Sequence, residues 1–153
     1  MKQSAGILLY KKGTDDIEFF LIHPGGPFYR KKEEGWWSIP KGELLTDEDP
    51  LDAAIREFEE ETGYKPSGTF TELTPIVQKG GKKVYCWANE GNIDAATIIS
   101  NTFEMEWPPK SGKYASFPEV DKAGWFNFND AKLLINERQA AFLVELIDAL
   151  GKL

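Results

Sequence analysis

The sequence predicts an α/β fold in α/β/α layering, a mixed sheet held between helices. Three features carry that prediction. Apolar runs of strand length alternate loosely with helical segments along the chain. A helix over residues 50–62 is marked at both ends by residues that start and stop helices. The stretch 137–150 sets Phe142, Leu143, Leu146, Ile147 and Leu150 along one helical stripe. The 153 residues read as one domain, 1–153, without repeat, low-complexity tract or linker. A chain of this length buries roughly 70% of the surface its unfolded form exposes, so a stable core needs no staple.

Residues 6–10, Gly-Ile-Leu-Leu-Tyr, form a continuous apolar run, the pattern of a strand buried on both faces. The turn formers Gly13, Thr14, Asp15 and Asp16 separate it from a second strand over 17–23, which Pro24-Gly25-Gly26-Pro27 ends. A basic, aromatic loop follows, with Phe28, Tyr29, Arg30, Lys31 and Lys32, and residues 36–39 read as a short strand closed by Pro40. Asp49 suits the N-cap of the 50–62 helix, Pro50 its first position and Asp52 its positive end. Gly63 is its C-terminal stop. Residues 69–77 and 82–89 read as a hairpin around Gly80-Gly81, 98–103 as a further strand, and 104–118 as a long proline-bearing loop. The stretch 120–128 contains a strand, Asn129 and Asp130 are placed to cap a helix through Leu134, and the final helix runs over 137–150.

The 18 basic and 25 acidic side chains leave a net charge of −7. That balance argues against a general binder of nucleic acid or anionic membrane, although a local basic cluster can still hold a phosphate. A single cysteine, Cys86, excludes an internal disulfide. The opening residues lack the signal-peptide pattern, and no run reaches the ~18 apolar residues of a membrane helix. The expectation is a cytoplasmic protein.

The informative segment is the 50–62 helix. At helical spacing Glu57, Glu60 and Glu61 fall on one face, while Leu51, Ala54, Ile55 and Phe58 form another that packs on the sheet. Like charges at this spacing each cost about 0.2–0.5 kcal/mol, and they sit where the helix dipole disfavours anions. Arg56, the helix's one cation, is expected off that face. Two readings fit: a solvated acidic face, or carboxylates gathered for a hard divalent cation, Mg²⁺ or Mn²⁺.

The flanking residues separate them. Gly42, Glu48, Arg56, Glu57, Phe58, Glu60, Glu61, Gly63 and Tyr64 stand in the spacing G-x5-E-x7-R-E-U-x-E-E-x-G-U, where U is bulky and apolar. The segment resembles the Nudix box at every fixed position, with aromatic Phe58 and Tyr64 where an aliphatic is usual. The likeness extends to residues 4–10, 37–42 and 119–125. It implies a Nudix-type α/β/α sandwich with a mixed sheet, the box forming a loop–helix–loop. It also implies a Mg²⁺-dependent hydrolase, with Mn²⁺ an alternative, that cleaves a diphosphate linkage in a nucleoside-diphosphate-X substrate.

Carried over residue by residue, the resemblance assigns Glu57, Glu60 and Glu61 to the metal. It assigns Gly42, Glu48, Arg56 and Gly63 to bracing the loop on the helix. A further carboxylate from outside the box is expected, with Glu119, six residues before Trp125, ahead of Glu104 and Glu106. Glu57, Glu60 and Glu119 are the candidates for the base that takes the proton from water. Lys41 and Arg30 are candidates for substrate phosphate. Tyr29, Trp36, Tyr85, Trp87, Phe103 and Trp107 are candidates to stack on a base. Residues 37–42, Trp-Ser-Ile-Pro-Lys-Gly, are similar to the entry of diadenosine polyphosphate hydrolases of this family. The expected partner is a small nucleotide, a dinucleoside polyphosphate or nucleoside triphosphate, met by a monomer or homodimer. The alternative is a Nudix-fold module that binds or senses a nucleotide without turnover; the intact set of box glutamates favours the enzyme.

Overall fold

The computed structural model describes residues 2–151. Along the chain run β1 (Gln3–Lys12), β2 (Ile17–Pro24), β3 (Lys41–Glu43), α1 (Pro50–Thr62), β4 (Phe70–Val77) and β5 (Lys83–Glu90). After them come β6 (Thr102–Glu106), β7 (Tyr114–Pro118), β8 (Val120–Phe126), α2 (Phe128–Leu134) and α3 (Ala140–Ala149). The main sheet has the order β4-β5-β1-β2-β8, with β3 added to β1. β1 pairs with β5 in parallel and with β2 and β3 antiparallel, so the sheet is mixed.

Both faces of this sheet are covered, which is why β1 and β2 read as unbroken apolar runs. Ala5, Ile7, Leu9, Phe20 and Ile22 meet Ala53, Ala54 and Phe58 of α1. On the opposite face Leu8, Phe19 and Leu21 meet Phe142, Leu143 and Leu146 of α3. The α/β/α layering read from the sequence is therefore the layering observed. No helix among the described residues is long and apolar enough to cross a membrane.

Four local expectations are corrected. Residues 36–39 are not a strand; Ser38 and Trp37 make single bridges to Ile22 and Ile135. The segment read as a strand over 98–103 and a loop over 104–118 is the β6–β7 hairpin, with Thr102 opposite Pro118 and Glu106 opposite Tyr114. Pro108 and Pro109 punctuate the turn, whereas Phe103, Met105, Ala115 and Phe117 alternate with more exposed neighbours as strands do. α2 is capped by Asn127, not Asn129 or Asp130; the Asn127 side chain accepts from the Asp130 N–H at 2.9 Å. α3 begins at Ala140, after a 3₁₀ turn over Glu137–Gln139 that Asn136 caps.

Candidate active site

α1 is set at both ends by local chemistry. The Asp49 carboxylate accepts from the backbone N–H groups of Leu51 at 3.1 Å and Asp52 at 3.3 Å. Gly63 takes φ 84°, a left-handed conformation open to glycine, and its N–H donates to Glu59 O at 2.8 Å. Helix ends leave carbonyls unpaired. Here Ile99 N–H donates to Thr62 O and Asn101 N–H to Glu60 O, each at 2.8 Å. The same short segment carries Glu119: its N–H donates to Asn101 O at 2.8 Å, and Gly25 N–H donates to Glu119 O at 2.9 Å. Val120 N–H is held by Ser100 Oγ at 3.0 Å. A residue 58 positions beyond Glu61 is thereby fastened to the carboxyl end of α1.

Arg56 does not lie off the acidic face. Its Nε and Nη2 donate to both Glu48 oxygens at 2.9 Å, and Nη2 also reaches Glu43 O at 3.2 Å. Nη1 donates to Glu57 Oε2 at 2.8 Å and to Glu60 Oε2 at 3.1 Å. Glu60 lies four residues beyond Arg56, the spacing at which a helix sets two side chains next to each other, so the guanidinium meets the acidic face directly. The fork ties the loop before α1 to the helix, and Glu48 also accepts from Leu45 N–H at 2.9 Å. Its carboxyl is held below the ordinary range, chiefly by the Arg56 hydrogen bonds.

Gly42 leaves room for Glu57. A Cβ there would lie 2.1 Å from the Glu57 carboxyl carbon. Lys41 N–H donates to Glu61 Oε1 at 3.3 Å. Burial, followed by the nearby Lys82 charge, holds the Lys41 ammonium below its usual range.

Glu57, Glu60, Glu61 and Glu119 act on one another electrostatically. Glu61 is only 9% exposed. Burial first, then the charges of Glu57 and Glu119, push its carboxyl up to about 9. Glu57 is raised by burial against the lowering effect of Arg56, with Glu60 and Glu119 adding to the rise. Burial and then Glu60 raise Glu119. The two competing carboxylates are placed differently. Glu106 accepts from Lys110 N–H at 3.2 Å and Gly112 N–H at 2.9 Å, so it shapes the β6–β7 turn. Glu104 is exposed on β6.

Among the described residues no three His, Cys, Asp or Glu side chains already converge into a metal cage. The chemistry of the donors nevertheless suits a hard divalent cation: carboxylate oxygens, crowded like charges and a glycine cradle beside Glu57. Glu57 and Glu60 must then turn from, or share, Arg56.

Arg30 is exposed and lines a cleft of about 220 Å³ with Gly26, Pro27, Phe117, Pro118 and Asp121, beside the Glu119 segment. Two polar residues outside the sequence-based set position the site. Gln139, 1% exposed, accepts from Ile39 N–H at 3.0 Å and donates to Ser38 Oγ at 3.1 Å, holding the 37–42 entry from the far end of the chain. His23, fully buried, joins Asp121 Oδ1 at 2.8 Å and the Lys32 carbonyl, stitching the basic loop to β8. A histidine inside the apolar 17–23 run was a signal for the second; nothing local marks Gln139.

A mixed sheet between helices, with a glutamate-bearing helix braced by an arginine fork over a glycine loop, defines a Nudix fold. Residues 2–146 match the NUDIX domain, and the chain belongs to that family. It is similar to the mRNA-decapping protein g5R of African swine fever virus, 32% identical over 117 residues, covering 72% of this chain and 44% of that protein. It is also similar to the asymmetrical bis(5'-nucleosyl)-tetraphosphatase of Rattus norvegicus, 32% identical over 89 residues, covering 54% of this chain and 56% of that one. A C. elegans Ap4A hydrolase in binary complex superposes with a TM-score of 0.69 at 23% identity, covering 99% of this chain and 98% of that one. The chain spans from 10% to 60% of the length of the curated relatives it matches.

Proposed function

We propose that the protein is a Mg²⁺-dependent pyrophosphohydrolase that cleaves a diphosphate linkage in a nucleotide, with a dinucleoside polyphosphate as its leading substrate and a nucleoside triphosphate next. The observation that carries this reading is the backbone bridge through Asn101 that fastens Glu119 to the carboxyl end of α1, the end that carries Glu57, Glu60 and Glu61. The tetraphosphatase relative supports the substrate class. Glu57, Glu60 and Glu61 would hold Mg²⁺, or Mn²⁺ in its place. When bound, the cation neutralises phosphate oxygens and makes water a better nucleophile. Arg56 holds Glu57 and Glu60 in place through its fork while leaving the buried Glu61 to the Lys41 amide. Glu119, raised above the ordinary carboxylate range, suits the role of accepting a proton from water that attacks phosphorus. Arg30 and Lys41 would meet the phosphates.

A module that binds a nucleotide without turnover is the second reading. The engagement of both Glu57 and Glu60 by Arg56 is the observation in its favour. The discriminating experiment is product analysis with diadenosine tetraphosphate, normal and oxidised nucleoside triphosphates, ADP-ribose and nucleotide sugars, each with Mg²⁺ and with EDTA. Metal-dependent conversion of diadenosine tetraphosphate to ATP and AMP supports the leading reading. Tight binding with no product from any substrate supports the second. Glu119→Gln should slow turnover more than Glu104→Gln or Glu106→Gln; the reverse order would move the extra carboxylate to the hairpin.

A further inference from the structure

The β6–β7 hairpin and the loop after β2 build a wall of which the chemistry above uses only Arg30. Phe28, 57% exposed, meets Trp107 edge-on, with ring centroids 5.3 Å apart at 88°. Tyr29 and Trp36 pair beside them at 5.5 Å, and Lys32 Nζ lies 5.4 Å over the Trp36 ring. Exposed rings in such number call for a flat partner, since scattered single ones are the rule on a monomer surface.

The unpaired charges of this wall are mainly positive. Arg30, Lys31, Lys110 and Lys113 enter no ion pair among the described residues. Three of the nearby acids already have partners, whereas Glu34 and Glu104 enter no ion pair among the described residues. Glu33 is held by Lys122 and Trp37, Asp121 by His23, and Glu106 by the backbone of the turn. That leaves free positive charge interleaved with aromatic rings on a chain of net charge −7.

The wall also has the right origin and reach. Its root, where Thr102 faces Pro118, adjoins Glu119. From there to the Glu106–Tyr114 pair the hairpin rises about 14 Å, at ~3.4 Å per residue. A single nucleoside monophosphate is too short to span that rise from the reacting phosphorus. A chain of several phosphates ending in a second nucleoside is long enough.

We propose that Trp107, backed edge-on by Phe28, stacks the distal base of a dinucleoside polyphosphate, while Arg30 meets its phosphate chain. The proposal rests on the nucleotide reading of the site and adds a length requirement to it. The test compares wild type, Trp107→Ala and Trp107→Phe on diadenosine tetraphosphate and on ATP. Calorimetric binding in EDTA is measured alongside turnover. Loss of one stacked base is expected to raise KM and Kd for diadenosine tetraphosphate roughly five- to hundredfold. kcat and both ATP constants should stay unchanged, and Trp107→Phe should restore tight binding. Wild-type binding that Trp107→Ala leaves intact, or an equal loss for both ligands, would overturn the subsite. No turnover, but binding that depends on Trp107, would overturn the catalytic reading and keep the subsite.

Discussion

α1 and α3 cover the same sheet from opposite sides, and they differ in what else they carry. α3 buries Phe142, Leu143 and Leu146, and no side chain caps its start. α1 buries Ala53, Ala54 and Phe58, but with them the carboxyl group of Glu61. Acidic groups at a helix C-terminus oppose the dipole and one another. α1 accordingly carries supports that α3 lacks: the Asp49 cap, the Gly63 stop, the Arg56–Glu48 fork and the docked 99–101 segment. The comparison teaches that apolar packing suffices for a structural helix, whereas a helix holding repelling carboxylates must be braced from outside.

The largest expected effect breaks function on the α1 side alone. Glu60→Gln and Glu61→Gln are each expected to lower metal-dependent turnover by at least ~10²-fold, the scale of a lost, positioned electrostatic group. Circular dichroism should show the fold unchanged. Full activity in either would end the assignment of the helix to catalysis.

Gly42→Ala tests the cradle. Its methyl would overlap the Glu57 carboxyl and force it aside. A displacement near 1 Å costs on the order of 10²-fold in rate, so kcat should fall by about that factor. An unchanged kcat would show that Glu57 need not lie where the structure puts it.

Leu143→Ala is the mirror experiment on α3. Its fully buried side chain leaves a cavity expected to cost about 2–5 kcal/mol in denaturant unfolding. The kcat of the folded fraction should not change. A change in kcat larger than the change in folded fraction would erase the distinction between the two layers.

The smallest effect concerns pH. Glu61 binds its proton more tightly folded than unfolded, its carboxyl moving from 4.5 to about 9. Its stabilising contribution is therefore complete below about 4.5 and lost as the pH rises through about 9. Glu57 and Glu119 shift in the same direction, while Glu48 acts oppositely and only in acid. The melting temperature of the protein in EDTA should fall from mildly acidic to alkaline pH. Glu61→Gln should flatten that slope and raise the alkaline melting temperature. A steeper slope in the variant would contradict the origin assigned to the shift.

The elements written in short-range chemistry were legible. Caps, proline and the αL glycine act over a single turn, so the expected span of α1, 50–62, matches Pro50–Thr62. Apolar runs in β1 and β2 reported a sheet covered on both sides. The spacing of Gly42, Glu48, Arg56, Glu57, Glu60 and Glu61 named the family before any coordinate. The β6–β7 hairpin was illegible because its pairing joins residues up to 16 apart and its prolines masked the alternation.

By itself, then, the sequence determined the layering, the bounds of α1 and the family, because these follow from caps, periodicity and fixed spacing along one segment. Only the tertiary structure decided that Asn101 delivers Glu119 to the end of α1 and that Gln139 holds the 37–42 entry. Each of these depends on which hydrogen-bonding groups distant segments leave unpaired when the sheet and helices close together, and no local pattern encodes that.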